Sequence, residues 1–295
     1  MAKLEFIAGG YDLVEALRVD EQGRLYFSEM FRDGGIFRRS PDGRIECIVK
    51  GRTAAGGMAF RERGGLVLNG RGMALWDERT GELRDLFTHF EGAPIFHLND
   101  MTVTPDGSII TGSWGFELPD RHDAAEAVTT ETPGELPTGS LFRVDPGGKV
   151  TKLDDGIIVS NGMGFSPDHR LFYVADSGAV AILMYDVGPG WTLKNRRQFA
   201  SIAAGVPDGL AVDVEGGVWV ACYGGGEVVR FRPDGTADSH IPVPAIKATT
   251  LVFGGSDLKD LYISTGDNTE DPSKGGSIYY MRSDIAGMPV TKARV

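Results

Sequence analysis

Four residues that carry side-chain oxygen stand at the first position of a recurring five-residue segment. The segments EALRV, NDMTV, NGMGF and DGLAV open with Glu15, Asn99, Asn161 and Asp208. Two carboxylates and two carboxamides that converged on one point would suit one divalent cation, Ca²⁺ first and Mg²⁺, Mn²⁺ or Zn²⁺ as alternatives. Four protein ligands leave positions for water and substrate, as a catalytic metal requires.

Each of these residues also has a plainer interpretation. Asp208 lies in a Pro-Asp-Gly tripeptide and Asn161 precedes a glycine, so either could belong to an ordinary turn, and Glu15 alone could be a surface carboxylate. The other Pro-Asp-Gly copies, at 41–43, 105–107 and 233–235, precede second or outer strands instead. The shared position therefore favours a metal site over turn chemistry.

The segments themselves belong to a long internal repeat. Two more copies, GGMAF and TTLVF, open with Gly56 and Thr249, and the six copies begin at intervals of 41, 43, 62, 47 and 41 residues. Each has Leu or Met third and Val or Phe fifth, the period-2 alternation of a strand, and a second apolar run follows each copy after a short turn. This period predicts an all-β, six-bladed β-propeller. The innermost strands line the channel, so the first positions should meet there.

The rest of the chain fits a single propeller domain over residues 1–295. LEFIAGG precedes the first copy by about one strand, and we expect it to join the last blade and close the circle of blades. The 62-residue interval contains an insertion at about 114–140, which is polar and contains proline. This insertion is either a lid or a solvated loop.

Composition excludes some classes of partner. A formal net charge of −11 disfavours nucleic acid and anionic membranes, which require concentrated Lys and Arg, so a small molecule is the expected partner. MAKLEFIAGG lacks a signal-peptide core, and no run of eighteen apolar residues occurs. Two distant cysteines, Cys47 and Cys222, suggest neither a disulfide framework nor a zinc site. We therefore expect a cytoplasmic protein.

Four longer segments carry a family likeness that extends from Glu15 to about Thr265: FHLNDMTVTPDG, SNGMGFSPDHRLFYVADS, PDGLAVDVEGGVWVACYGGGEVVRFRPDG and LVFGGSDLKDLYIST. They resemble the family of senescence marker protein (regucalcin), gluconolactonase and luciferin-regenerating enzyme. The resemblance implies a six-bladed propeller with a divalent cation, commonly calcium or zinc, and hydrolysis of sugar-acid lactones. It implies that Glu15, Asn161 and Asp208 are metal ligands, and that Asn99 completes the shell or contacts substrate.

Departures from the family pattern bear on the substrate. By resemblance, Glu117 matches a glutamate that contacts sugars, whereas His97 replaces an arginine that binds substrate hydroxyls. Imidazole reaches less far and carries less charge than guanidinium. Met101 stands where the family usually has glycine, and Trp114 is near the expected mouth. A less polar substrate than gluconolactone is therefore plausible, with His97, Asn99, Trp114 and Glu117 as its predicted contacts.

The predicted activity is metal-dependent lactone hydrolysis, in which Asp208 accepts the proton of the attacking water or the metal alone activates that water. His97 either contacts substrate or shuttles a proton, or is only a packed residue. The other histidines, His89, His122, His169 and His240, lie in predicted turns or loops and receive no role. Alternatives are phosphotriester hydrolysis, a lyase, hydratase or isomerase reaction through an enolate, and a non-enzymatic calcium-binding propeller.

Overall fold

Six four-stranded antiparallel sheets form the molecule, as the repeat predicts. The computed structural model describes residues 3–125 and 136–295, and those residues contain 26 strands. The innermost strands of successive sheets contact one another in chain order, and that of the last sheet contacts that of the first. This closed arrangement is a six-bladed β-propeller, so the predicted fold class is confirmed.

The blades are numbered in chain order. Blade 1 contains β2 (Val14–Val19), β3 (Leu25–Glu29), β4 (Gly35–Arg39) and β5 (Ile45–Lys50). Blade 2 contains β6 (Met58–Phe60), β7 (Leu66–Leu68), β8 (Met73–Trp76) and β9 (Leu83–Phe87). The short strands β10 (His89–Phe90) and β11 (Ala93–Pro94) form a hairpin before blade 3. Blade 3 contains β12 (His97–Val103), β13 (Ile109–Trp114), β14 (Gly139–Val144) and β15 (Val150–Ile157).

The second half of the chain repeats this arrangement. Blade 4 contains β16 (Ser160–Phe165), β17 (Leu171–Asp176), β18 (Ala181–Gly188) and β19 (Thr192–Ala200). Blade 5 contains β20 (Val206–Val212), β21 (Val218–Tyr223), β22 (Glu227–Phe231) and β23 (Ala237–Pro242). Blade 6 contains β24 (Ala248–Gly254), β25 (Asp260–Thr265), β26 (Gly276–Arg282) and β1 (Glu5–Tyr11). Short 3-10 turns occur at Pro189–Trp191 and Pro272–Lys274.

The hydrophobic core lies between the blades, where the repeat places its apolar residues. The third position of each five-residue segment is buried in all six copies, at Leu17, Met58, Met101, Met163, Leu210 and Leu251. These side chains pack against neighbouring sheets, so removing apolar area from water holds adjacent blades together. The repeat therefore specifies both the strand and the face that it buries.

The N-terminal strand completes the last blade. β1 pairs antiparallel with β26, with Ala8 opposite Ile278. Ala8 and Ile278 are buried in one cluster, with Ile7 and Tyr11 packed against it. This pairing covers an edge that β26 would otherwise expose, as the sequence predicts.

The C-terminal residues cross one end of the channel. The Met288 amide donates to the Val212 carbonyl of blade 5, and the Ala293 amide donates to the Phe60 carbonyl of blade 2. Residues 288–291 also line a cavity with channel residues of several blades. This end of the channel is therefore covered by the chain's own last residues.

The insertion starts at the end of β13. Residues 122–125 are helical, and Leu118 and Ala125 are buried against the body of the propeller. Residues 126–135 of the predicted insertion lie outside the described residues. Where the chain is described, it has no helix that is long and apolar enough to cross a membrane.

Candidate metal centre

The four candidate ligands occupy irregular positions in their strand pairs. Pairing between the innermost strand and its neighbour shifts register after Glu15, across Asn99, across Asn161 and across Asp208. A β-bulge bends the strand and re-aims a side chain away from the regular pleat. The repeat thus gives each ligand position a local geometry that differs from the rest of its strand.

All four side chains line one cavity at the other end of the channel. The cavity has an empty volume of about 580 Å³, which includes solvent-open space at its mouth. Glu15, Asn99 and Asp208 are buried, and Asn161 is half-buried. Residues that are up to 193 positions apart in the chain therefore share one site.

Hydrogen bonds orient the two carboxamides. Asn161 Nδ2 donates to Ser177 Oγ at 2.9 Å, and Ser177 Oγ donates to the Pro207 carbonyl at 2.6 Å. This fixes the amide group of Asn161, whose Oδ1 accepts a hydrogen bond from Asn99 Nδ2. Asn99 Nδ2 also donates to the Ser160 carbonyl at 3.2 Å. Such supporting contacts are what hold a metal-ligand oxygen in place.

Gly56 makes room for Asn99. A Cβ atom at residue 56 would lie 1.7 Å from Asn99 Oδ1 and 2.8 Å from its Cγ. Any side chain at this first position would therefore push the amide out of its place. The glycine is a requirement of the site rather than of a turn.

Among the described residues, neither buried carboxylate has an ion-pair partner of its own, although the charge of Arg18 acts to lower the pKa of Glu15. Burial raises the pKa of Glu15 well above its usual range, and the charges of Asp208 and Asp100 act in the same direction. Burial and the charge of Asp100 likewise raise the pKa of Asp208. Asp100 itself pairs with Arg18 at 3.4 Å, and the charges of that pair cancel. A net charge of −2 is therefore left when Glu15 and Asp208 are ionised.

This donor set fits a divalent cation. Two carboxylates and the Asn161 oxygen supply hard oxygen donors, and a charge of +2 would balance the uncompensated pair. Within residues 3–125 and 136–295, no group of three or more His, Cys, Asp or Glu side chains has a metal-binding arrangement. The candidate set is different in kind, because two of its four residues, Asn99 and Asn161, are asparagines.

The predicted substrate contact His97 does not line the cavity. Its imidazole is fully buried behind Trp114, with the two ring centroids 4.5 Å apart. Burial lowers the pKa of His97 to about 3, and the charges of Arg71 and Arg52 act in the same direction. Neither imidazole nitrogen has a hydrogen-bond partner among the described residues. We therefore propose no substrate contact for His97.

Trp114 and Glu117 are placed differently from each other. Trp114 is part of the cavity wall, and its Nε1 donates to the Ser160 carbonyl at 2.8 Å. Glu117 is exposed, and its carboxylate pairs with Arg71, which also pairs with Asp120. Glu117 does not line the cavity, so we propose no substrate contact for it.

Most residues of the cavity wall, apart from the four candidate ligands and Trp114, were not predicted from the sequence. Met30, Phe31, Ser177 and Tyr223 lie at or just after the ends of second strands. An antiparallel neighbour ends where the innermost strand begins, so these positions were available from the repeat. The insertion adds Leu118, His122 and Ala125, which no repeated position indicates.

The wall above the candidate ligands is mainly apolar. Its apolar members are Leu13, Met30, Phe31, Trp114, Leu118, Ala125, Val159 and Val206. Among the described residues that line the cavity there is no lysine or arginine. The geometry therefore combines a polar floor with an apolar mouth.

Comparisons with known proteins agree with this architecture. A family model described as the SMP-30/Gluconolactonase/LRE-like region matches residues 13–267. Regucalcin of Xenopus laevis is 30% identical over 272 residues, which cover 87% of this chain and 86% of the relative. Pentonolactonase XacC of Haloferax volcanii is 31% identical over 271 residues, which cover 86% of this chain and 81% of the relative.

Solved structures share the fold. A calcium-binding protein, regucalcin from Agrobacterium tumefaciens, superimposes with a TM-score of 0.81, at 22% identity and with 98% of each chain covered. The family match spans all four candidate ligands and five complete blades. The chain is therefore a member of the SMP-30/gluconolactonase/LRE-like family.

Proposed function

We propose that this protein is a metal-dependent lactonase that opens a cyclic ester of lower polarity than a sugar lactone. The observation that carries the proposal is the pair of buried, uncompensated carboxylates, Glu15 and Asp208, on the floor of a largely apolar cavity. The relatives include a protein named as a pentonolactonase, which supports lactone hydrolysis as the reaction class. The Agrobacterium relative is described as calcium-binding, which supports Ca²⁺ as the first candidate ion.

Glu15, Asn161 and Asp208 would hold the cation, and Asn99 would fix the Asn161 oxygen through its amide hydrogen bond. When bound, a divalent cation supplies Lewis-acid polarisation of the lactone carbonyl. The Asp208 carboxylate takes a proton from the attacking water as the oxygen of that water bonds to the carbonyl carbon. The bond between the carbonyl carbon and the ring oxygen then breaks, and the ring oxygen takes up a proton.

The wall composition supports a neutral substrate with an apolar substituent. Phe31, Trp114 and Leu118 would contact such a substituent by burying apolar area. A phosphorylated or carboxylated sugar lactone would need a cationic contact, which the described wall lacks. Trp114 is therefore a proposed substrate contact through its indole face.

The test is a pH-stat assay of metal-depleted protein to which Ca²⁺, Mg²⁺, Mn²⁺ or Zn²⁺ is returned. An alkyl-substituted δ-lactone, an aromatic lactone and an aldonolactone should be compared, and we expect metal-dependent turnover with the first two preferred. Elemental analysis of untreated protein identifies the resident ion.

Asp208→Asn should abolish turnover, whereas Asp234→Asn should retain it. Asp234 is a matched control, because it occupies another Pro-Asp-Gly tripeptide of blade 5 but is exposed. Hydrolysis no faster than the uncatalysed rate with every lactone and metal would overturn the proposed function.

A further inference from the structure

His122 and Tyr223 form a hydrogen-bonded pair on the cavity wall. Their Nε2 and Oη atoms lie 3.1 Å apart, and both side chains line the cavity that contains Glu15 and Asp208. The pair joins the insertion between the second and third strands of blade 3 to the end of the second strand of blade 5. Two residues 101 positions apart therefore meet beside the candidate metal centre.

This pair is the main polar feature of the wall above the candidate ligands. The other polar side chain there, Ser177, is already engaged, because its hydroxyl accepts from Asn161 and donates to the Pro207 carbonyl. A substrate oxygen directed away from the cavity floor would thus meet the His122–Tyr223 pair.

Contacts on other sides orient the imidazole. Asp12 Oδ1 lies 3.4 Å from His122 Nδ1, and the Phe31 ring stacks on the imidazole with centroids 5.4 Å apart and an interplanar angle of 10°. The side chain of His122 is only 11% exposed. With Nδ1–H directed at a carboxylate, Nε2 is the nitrogen presented to the Tyr223 hydroxyl.

We propose that the His122–Tyr223 pair supplies the proton to the oxygen that leaves when the lactone opens, an inference that rests on the proposed function. The electron pair of the breaking carbon–oxygen bond stays on the ring oxygen. That oxygen takes the proton of the Tyr223 hydroxyl, which is replaced by the proton on Nε2 of a protonated His122. The proton that Asp208 removes from water returns to His122 through solvent, so the cycle is balanced.

Asp12 and Phe31 are positioning residues in this scheme. Asp12 accepts from Nδ1–H and so directs Nε2 towards Tyr223, while the Phe31 ring fixes the plane of the imidazole. A purely structural role for His122 would instead be to pin the insertion to blade 5. The two roles differ in how the effect of substitution depends on the leaving group.

The experiment compares kcat of the metal-loaded protein on two lactones. An alkyl δ-lactone releases an alkoxide and needs the proton, whereas an aromatic lactone such as dihydrocoumarin releases a phenolate, whose conjugate acid has a pKa of about 10 as in tyrosine. We expect His122→Gln and Tyr223→Phe to reduce kcat on the alkyl lactone about 100-fold and to change kcat on dihydrocoumarin little. His89→Gln is the matched control, because His89 is exposed on β10.

Equal losses on both lactones, or no loss on either, would overturn the proton-donor role of this pair. The calcium-induced rise in melting temperature should persist in His122→Gln, which separates loss of proton transfer from loss of the site. If the unmodified protein opens neither lactone, the proposed function fails together with this inference. If it opens both but His122→Gln behaves like His89→Gln, only this inference fails.

Discussion

At the scale of single residues, the cost of the site is its buried charge. Glu15 and Asp208 are both buried, and their carboxylates interact electrostatically, since the charge of Asp208 raises the pKa of Glu15. Like charges in a desolvated site repel unless a cation lies between them. The metal-free protein should therefore carry a local instability that a ligand removes.

Asp208→Asn tests this cost directly. The metal-free variant should be more stable than the metal-free unmodified protein, by about 2 kcal/mol, because one of two uncompensated charges is gone. The unmodified protein should gain about 2.7 kcal/mol when Ca²⁺ is at 100 times its Kd, and the variant should gain almost none. Denaturant titration with chelator and with Ca²⁺ measures both. A calcium-induced gain that survives in Asp208→Asn would remove Asp208 from the ligand set.

His97 makes a separate prediction about pH. Its folded-state pKa of about 3 lies below the value of about 6.5 expected for the unfolded chain, so the unfolded state binds the extra proton first. Stability associated with His97 is therefore complete above pH 6.5 and is lost as pH falls. When the pH falls from 7 to 5, the unfolding free energy of His97→Met should decrease by about 2 kcal/mol less than that of the unmodified protein. Parallel pH profiles for the two proteins would show that His97 is not held neutral, and exposed His89, substituted by Gln, serves as the control.

At the scale of strands, the site depends on how closely neighbouring inner strands approach. The amide of Asn99 in β12 occupies the space that a side chain at residue 56, just before β6, would need. The register shifts in β12, β16 and β20 lie at candidate ligands that line the same cavity. Backbone geometry and ligand geometry are thus coupled across blades.

Gly56→Ala tests whether the close approach of residue 56 to the Asn99 amide supports the site. The new Cβ would displace Asn99 and break its hydrogen bond to Asn161 Oδ1, so we expect calcium affinity to fall about 10- to 100-fold. Isothermal titration calorimetry measures the change, and far-UV circular dichroism checks the fold. Gly147→Ala, in an exposed turn, should leave affinity unchanged. Equal affinities for the two variants would contradict a supporting role for Asn99.

At the scale of the whole molecule, closure of the propeller relies on both ends of the chain. β1 completes blade 6, while the C-terminal residues bond to Val212 in blade 5 and Phe60 in blade 2. Both connections link parts of the chain that are far apart in sequence. The position of the blades around the cavity therefore depends on contacts outside the site.

Removal of residues 1–11 should expose the edge of β26 and the cluster around Ile278. We expect the unfolding free energy to fall by about 3 kcal/mol or more, since the removed strand buries apolar side chains, and we expect self-association through the open edge. Equilibrium denaturation and size-exclusion chromatography report the two effects. Removal of residues 1–3 alone should change neither, and an unaltered, monomeric 1–11 truncation would show that β1 is dispensable for closure.

The fold and the candidate ligands were predictable because the repeat carries both. A strand alternates its side chains with period 2, so one apolar frame identifies the buried face. The same frame places Glu15, Asn161 and Asp208 at equivalent points of blades 1, 4 and 5. The second-strand ends that place Phe31 and Tyr223 could have been obtained in the same way. The number of blades, the closure of the propeller and the polar residues on the cavity floor could therefore be predicted from the repeat.

Only the tertiary structure decided what the non-repeated residues do. His97 stands two residues before Asn99 in sequence, but the packing of Trp114 over its imidazole separates it from the cavity. His122 shows no sequence signal, yet the insertion brings it to Asp12 and Tyr223, which are 110 and 101 residues away. The path of an insertion follows from contacts made after folding, and no other copy of the repeat contains it. For that reason the sequence predicted which side chains would meet on the floor of the cavity, and the three-dimensional structure determined which others complete its wall.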